Sequence, residues 1–142
     1  MRKLEFGTID NLQTISKTQE QIKFQVFCIK IETEQAPGFI DLTERVQDCI
    51  AEAGIKNGTV TVFSRHTTAA IKINENEPLL LEDMAKFLER IAPRHDNYMH
   101  NDFTIRTVNM TEDECPNGHA HCQQLFLSTS EAIPIIDGVA QI

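Results

Sequence analysis

Hydrophobic and polar positions along the chain follow two periods, and the switches between them mark out the elements. Ile22-Lys23-Phe24-Gln25-Val26-Phe27-Cys28-Ile29-Lys30-Ile31 begins as an alternation and ends apolar on both faces, the pattern of a central strand. Ala36-Pro37-Gly38 breaks it. From Asp41 the helical period takes over. Leu42, Val46, Ile50 and Ala53 recur on one face, Asp41 can cap free backbone amides with Glu44 three residues on, and Gly54 ends the helix. Asn57-Gly58 signals a turn, and Thr59-Val60-Thr61-Val62-Phe63 reads as the next strand.

The following stretch, His66-Thr67-Thr68-Ala69-Ala70-Ile71-Lys72-Ile73-Asn74-Glu75-Asn76-Glu77-Pro78, is predicted to continue extended. Its apolar positions Ala69, Ile71 and Ile73 alternate with His66, Thr68, Ala70, Lys72 and Asn74 on the other face. Eight extended residues hold His66 and Asn74 roughly 26 Å apart, so a small site using both needs a bend or a second subunit. A second helix then starts at Asn76 as N-cap with Pro78 in its first turn. Leu80, Met84, Phe87, Leu88 and Ile91 form its buried stripe, and Pro93 stops it. A short third helix is predicted from His119 to about Phe126. Ala132-Ile133-Pro134-Ile135-Ile136 reads as a strand that its proline places at an edge or strand end. Asp137-Gly138 is a hairpin signal with only Val139, Ala140, Gln141 and Ile142 after it, so the sheet is expected to lack a partner strand.

These elements fit one domain, and 142 residues are enough for a real core. Residues 1 to about 20 are polar and loosely patterned, an extension expected to be poorly ordered. Thirteen basic against 21 acidic residues give a net charge of −8, which opposes attraction to nucleic acid or anionic membranes. There is no apolar run of the ~20 residues that span a bilayer, and the N-terminus has no continuous apolar signal region, so a soluble, cytoplasmic protein is expected. The four cysteines are irregularly spaced, which favours reduced thiols, with Cys28 and Cys49 expected in the core.

The candidate chemistry is polar and rich in histidine. Cys115-Pro116-Asn117-Gly118-His119-Ala120-His121-Cys122 is too crowded for a closed zinc site, and Asn117-Gly118 is better read as the turn into the third helix. His119 and His121 project about 200° apart on a helix, so only one can face a given site; His121 is favoured. Glu75, at a helix start, is expected to be ionised and able to hold a metal or take a proton, while Asn76, Glu75 and Glu77 equally suit plain capping and the helix dipole. Ser128-Thr129-Ser130 offers hydroxyls to an anion. The chain has no glycine-rich phosphate loop and no Ser-His-Asp order that names a nucleophile.

The motif His66 to Pro78, then Tyr98-Met99-His100-Asn101, then Gly118-His119-Ala120-His121, resembles the YjbQ-like family, often labelled secondary thiamine-phosphate synthases. The resemblance spans about residues 22 to 142. It implies an α+β fold, with antiparallel or mixed sheets packed against two to three helices, and a homotrimer. It also implies weak transferase activity coupling a pyrimidine diphosphate to a thiazole phosphate. On its motifs, His66 and Glu75 become catalytic candidates, while Thr67, Thr68, Asn74, Asn76 and Ser130 become contacts to a small phosphorylated molecule or anion. His66, His100 and His121 become candidate ligands of a divalent metal ion, in an open site to which Glu75 could add a carboxylate. The resemblance further implies two strands and a Trp-containing motif beyond Ile142, whereas this sequence contains no Trp. Pyrophosphate departure requires cations, of which only Arg65, Lys72, Arg94 and Arg106 lie near the motifs. The alternative is a non-catalytic trimeric binding or scaffold protein.

Overall fold

The computed structural model describes residues 22–142; the N-terminal extension expected over residues 1 to 20 lies outside them. Helix α1 spans Thr43–Ala53, strand β1 Gly58–Phe63, helix α2 Pro78–Ile91, helix α3 Gly118–Gln124, strand β2 Ser130–Ile136 and strand β3 Val139–Ala140. A single 3-10 turn, Met99–Asn101, lies between α2 and α3. The strands form an antiparallel sheet in the order β1-β2-β3, with Gly58 opposite Ile135 and Phe63 opposite Ser130. The architecture is thus α+β, as the motifs imply.

The hairpin follows directly from its turn residues. Asp137 at φ 51° and Gly138 at φ 84° give the two consecutive positive φ values that match the strand twist, and Ile136 pairs with Val139. Pro134 shows how a proline enters a middle strand. Its carbonyl accepts from Gln141 N–H at 3.0 Å on the β3 side, just past the two paired residues of β3, so its missing N–H interrupts no bond of that ladder.

The core lies between α1 and the sheet: Val46 and Ile50 pack on Ile133, Ile135 and Ala140, with Leu42, Ile55, Val60 and Val62 around them. Gln47 fastens the two layers, its Nε2 donating to Gly138 O at 2.7 Å and its Oε1 accepting from Ala140 N–H at 3.1 Å. Gly54 ends α1 in the left-handed region at φ 63°, its N–H returning to Ile50 and Ala51 carbonyls.

Six expectations are corrected. Residues 22–31 form no strand among the described residues; Ile22 is 98 % exposed and Phe24 85 %, because an alternating pattern makes a strand only when a neighbouring edge takes up its hydrogen bonds. Cys28 on that segment is consequently exposed, and Cys49 is only half-buried. The His66–Pro78 stretch is likewise irregular before α2. Ser64 N–H and Ile71 N–H reach Thr129 O and Ser128 O at 2.8 and 2.9 Å, but the opposite chain leads back into α3, so the ladder goes no further. Finally, α2 is capped by Glu77, whose carboxylate accepts from Leu79 and Leu80 N–H, while Asn76 donates to Asp41 Oδ2 at 2.9 Å and ties the starts of α1 and α2 together. On α2 only Leu88 is fully buried, and Phe87 lies exposed beneath the Arg90 guanidinium, 5.8 Å from its ring centre. The third helix also stops at Gln124, leaving Phe126 67 % exposed.

Candidate functional site: a histidine pair between the 3-10 turn and α3

His100 comes from the 3-10 turn and His121 from α3, and their rings meet edge to face with centroids 4.7 Å apart at 70°. Three features bring the elements together. Gly118 N–H donates to Asn101 Oδ1 at 2.9 Å. A Cβ on Gly118 would lie 2.7 Å from Tyr98 Cβ, so only glycine permits the approach. Tyr98 in turn donates its hydroxyl to Pro93 O at 2.9 Å, fixing the turn against the end of α2.

Arg106 closes one side. Its Nη1 donates to His100 O at 3.5 Å and its Nη2 to Asn109 O at 2.9 Å, and it forms a 3.2 Å ion pair with Glu114, both side chains 13 % exposed. The Thr111 N–H, together with Arg106, holds the Glu114 carboxyl below its ordinary pKa. His121 is pushed below its ordinary value chiefly by burial, then by the charges of His100, Arg106 and His66, with Glu114 pulling the other way. At neutral pH His121 is therefore an uncharged imidazole, fit to accept a proton. The Nε2 of His100 is buried and has no hydrogen-bond partner.

His66 sits on the loop after β1, exposed, its Nδ1 accepting from Thr68 N–H at 3.2 Å with the Thr68 hydroxyl 2.9 Å away. In the neutral ring that leaves the proton on Nε2, which is then a donor. Thr67 is exposed beside it. Lys72 bridges Ser128 Oγ at 3.1 Å and Glu131 Oε1 at 2.6 Å, and Ser130 stands exposed opposite Phe63 at the start of β2. Asn74 is engaged elsewhere, its Nδ2 donating to Met84 Sδ and its Oδ1 accepting from Glu75 N–H. Asn76 serves the strut to Asp41, and Glu75 is exposed at the approach to α2.

The structure thus joins His100 to His121 and sets His66 within electrostatic reach. Asn74 and Asn76 spend their side-chain bonds on the helical side instead. Among the described residues no group of three His, Cys, Asp or Glu side chains is disposed to hold a metal ion. His100 and His121 supply two imidazoles, one short of the three protein ligands that an open zinc site takes. A cleft of about 470 Å³ between α1 and β3, lined by Thr43, Gln47, Asp48, Val139 and Ile142 among others, lies apart and carries no histidine.

A family profile described as "UPF0047 protein YjbQ-like" matches residues 28–142. The chain belongs to the YjbQ-like UPF0047 family. A UPF0047 protein of Methanothermobacter thermautotrophicus is 34 % identical over 110 residues, 78 % of this chain and 69 % of that protein. Among solved structures, an uncharacterised YjbQ/UPF0047 protein from Clostridium acetobutylicum superposes with a TM-score of 0.66 at 29 % identity, covering 79 % of this chain and 78 % of that one. A protein of unknown function from Sulfolobus solfataricus gives 0.61 at 30 % identity, over 72 % of this chain and 67 % of its own.

Within this YjbQ-like frame, sequence reasoning left two site residues, Asn101 and Glu114, without a role and gave Gly118 only that of a turn. Asn101 and Gly118 stand inside two of the motifs, yet their bond joins residues 17 apart on two separate elements, where no period reports it. Glu114 carries no local signal at all. The described residues contain no helix long and apolar enough to cross a membrane.

Proposed function

We propose that this YjbQ-like chain binds a small phosphorylated molecule at the His100–His121 pair and carries out slow, thiamine-phosphate-synthase-like transfer as a homotrimer. The observation that carries this reading is the buried, unpartnered Nε2 of His100 in contact with a neutral His121. An orphaned buried polar atom costs about 1–3 kcal/mol, a cost that a ligand oxygen or nitrogen would relieve. His121 accepts a proton, and His66 Nε2–H, Thr67, Thr68 and Ser130 offer donors to phosphate oxygens. Glu75 supplies a carboxylate from the loop before α2. Exposed apolar side chains such as Phe63, Leu79 and Phe126 on separate elements support burial against further copies.

A second reading is binding without turnover. Of the four cations near the motifs, Arg106 is engaged by Glu114 and Lys72 by Glu131, which halves the charge available to meet a departing pyrophosphate. The test incubates the full chain with the pyrimidine diphosphate and the thiazole phosphate in the presence of Mg²⁺, for the wild type, His100→Ala, His121→Ala and Glu75→Gln. Thiamine phosphate formed by the wild type and lost at least tenfold in the variants, at unchanged thermal unfolding, is the expected result. No product, but pyrophosphate binding that His100→Ala abolishes, selects the second reading. Neither product nor binding refutes both, and a monomer in sedimentation at micromolar concentration refutes the trimer.

A further inference from the structure

We infer that Asn101 is the positioning residue of the histidine pair: through its side-chain amide it sets α3 against the 3-10 turn so that His121 meets His100. The inference rests on the reading of that pair as the reacting site, but its geometry is tested independently. Helix α3 has seven residues, well short of the ~12–15 at which an isolated helix becomes even marginally stable. Its own N-cap, Asn117, makes no capping bond, and the Asn117 Oδ1 is buried without a partner. The cap comes instead from Asn101, whose Oδ1 accepts the N–H of Gly118, the first residue of the helix, at 2.9 Å. Since the bonded group is a donor, the oxygen assignment of the Asn101 amide follows from chemistry.

Helical geometry carries the consequence to His121. Residues three apart lie on one face of a helix, so the face bearing Gly118, which touches Tyr98 and Asn101, also carries His121 toward the turn. His100 is the residue immediately before Asn101 in that turn. This hydrogen bond therefore ties one histidine's helix directly to the turn that carries the other. The Arg106 contact to His100 O, at 3.5 Å, is the longer and weaker tie and does not reach α3.

The experiment uses the full chain and three variants. Asn101→Ala removes the acceptor, Asn101→Asp keeps it, and Asn101→Ser replaces it with a hydroxyl too short to span the gap. Proton–proton NOEs between the His100 and His121 rings report the pair directly, alongside circular dichroism and turnover. The expected result is a ring NOE present in the wild type and in Asn101→Asp, and lost in Asn101→Ala, with kcat falling at least tenfold in Asn101→Ala and recovering in Asn101→Asp. A ring NOE of undiminished strength in Asn101→Ala overturns the inference. So does its loss in Asn101→Asp as well, since the acceptor would then not be what matters. Where Asn101→Ala does not fold, Asn101→Ser is read by the same criteria. If the NOE pattern is as expected but the wild type makes no thiamine phosphate, the positioning role stands and the transfer reading fails.

Discussion

Replacing Gly118 with alanine sets two well-measured effects against each other. Alanine in place of glycine in a helix is ordinarily worth about 1 kcal/mol in favour of folding. Here the added Cβ would sit 2.7 Å from Tyr98 Cβ, 3.0 Å from Tyr98 Cγ and 3.1 Å from Asn101 Oδ1. The Tyr98 Cβ cannot move without its backbone, and its ring is held by the hydroxyl bond to Pro93 O. Overpacking of this kind costs about 1–3 kcal/mol, and displacing the Gly118 N–H from Asn101 adds a lost hydrogen bond of about 1 kcal/mol. The net expectation is a loss of about 1–3 kcal/mol. Unfolding entropy is about 0.25 kcal/mol/K for an ordered domain of this size, so the midpoint should drop by ~4–12 °C. The assay is thermal unfolding followed by circular dichroism, with Gly58→Ala as the control. The nearest atom to a Cβ there is Ile55 Cγ2 at 3.4 Å, an ordinary contact, and its midpoint should stay within ~2 °C of the wild type. A Gly118→Ala protein melting at or above the wild-type temperature would refute the close-approach argument.

Three further expectations follow from the same contacts. Glu77→Ala should cost about 1 kcal/mol by urea unfolding, through the lost cap of α2, whereas Asn76→Ala, which cuts only an exposed strut to Asp41, should cost less than half as much. His119, 3 % exposed, is pushed below its ordinary value of 6.5 first by burial and then by Arg94, with His95 adding to and Glu89 opposing the shift. The unfolded chain therefore takes up a proton there before the folded one does. Stability is full above about pH 6.5 and falls on acidification below it, and urea midpoints between pH 7 and 5 should fall less steeply in His119→Gln; an unchanged slope counts against this. Ile133→Ala, at the centre of the α1–sheet core, should lose about 2–5 kcal/mol in the same assay.

What the sequence made legible divides by the range of the forces involved. Helix α1 with its Gly54 stop, strand β1, the start of α2 at Pro78 and the Asp137-Gly138 hairpin were all readable, because each is set by neighbours within a few residues. The strand expected at residues 22–31 failed, although its first half alternates regularly. A strand exists only by virtue of a partner edge, and nothing local says whether one is present. Asn76 was misplaced as a cap for a subtler reason: Asn and Glu stand side by side before Pro78, and the choice between them is made by Asp41, 35 residues upstream. For the site, the resemblance gathered His66, His100 and His121 around one metal ion, whereas the ring-to-ring contact of His100 and His121 depends on how a loop folds back.

The third helix concentrates these lessons in seven residues. Gly118 and His121 lie on the face that meets the 3-10 turn, while His119 and Gln123, four apart, share a second face. Gln123 Nε2 donates to Ala92 O at 3.0 Å, just past the last turn of α2, and to Leu88 O at 3.2 Å, a carbonyl that also accepts the Ala92 N–H. His119 is buried in the same helix turn as Gly118. Both dockings are therefore written into Gly118-His119-Ala120-His121-Cys122-Gln123-Gln124, one through backbone approach and one through a side-chain amide. Changes at His119 or Gln123 reach the histidine pair only through the seating of the helix, so their effects on activity and on unfolding should move together. Changes at His100 or His121 alter the chemistry without unseating α3, so there the two should separate.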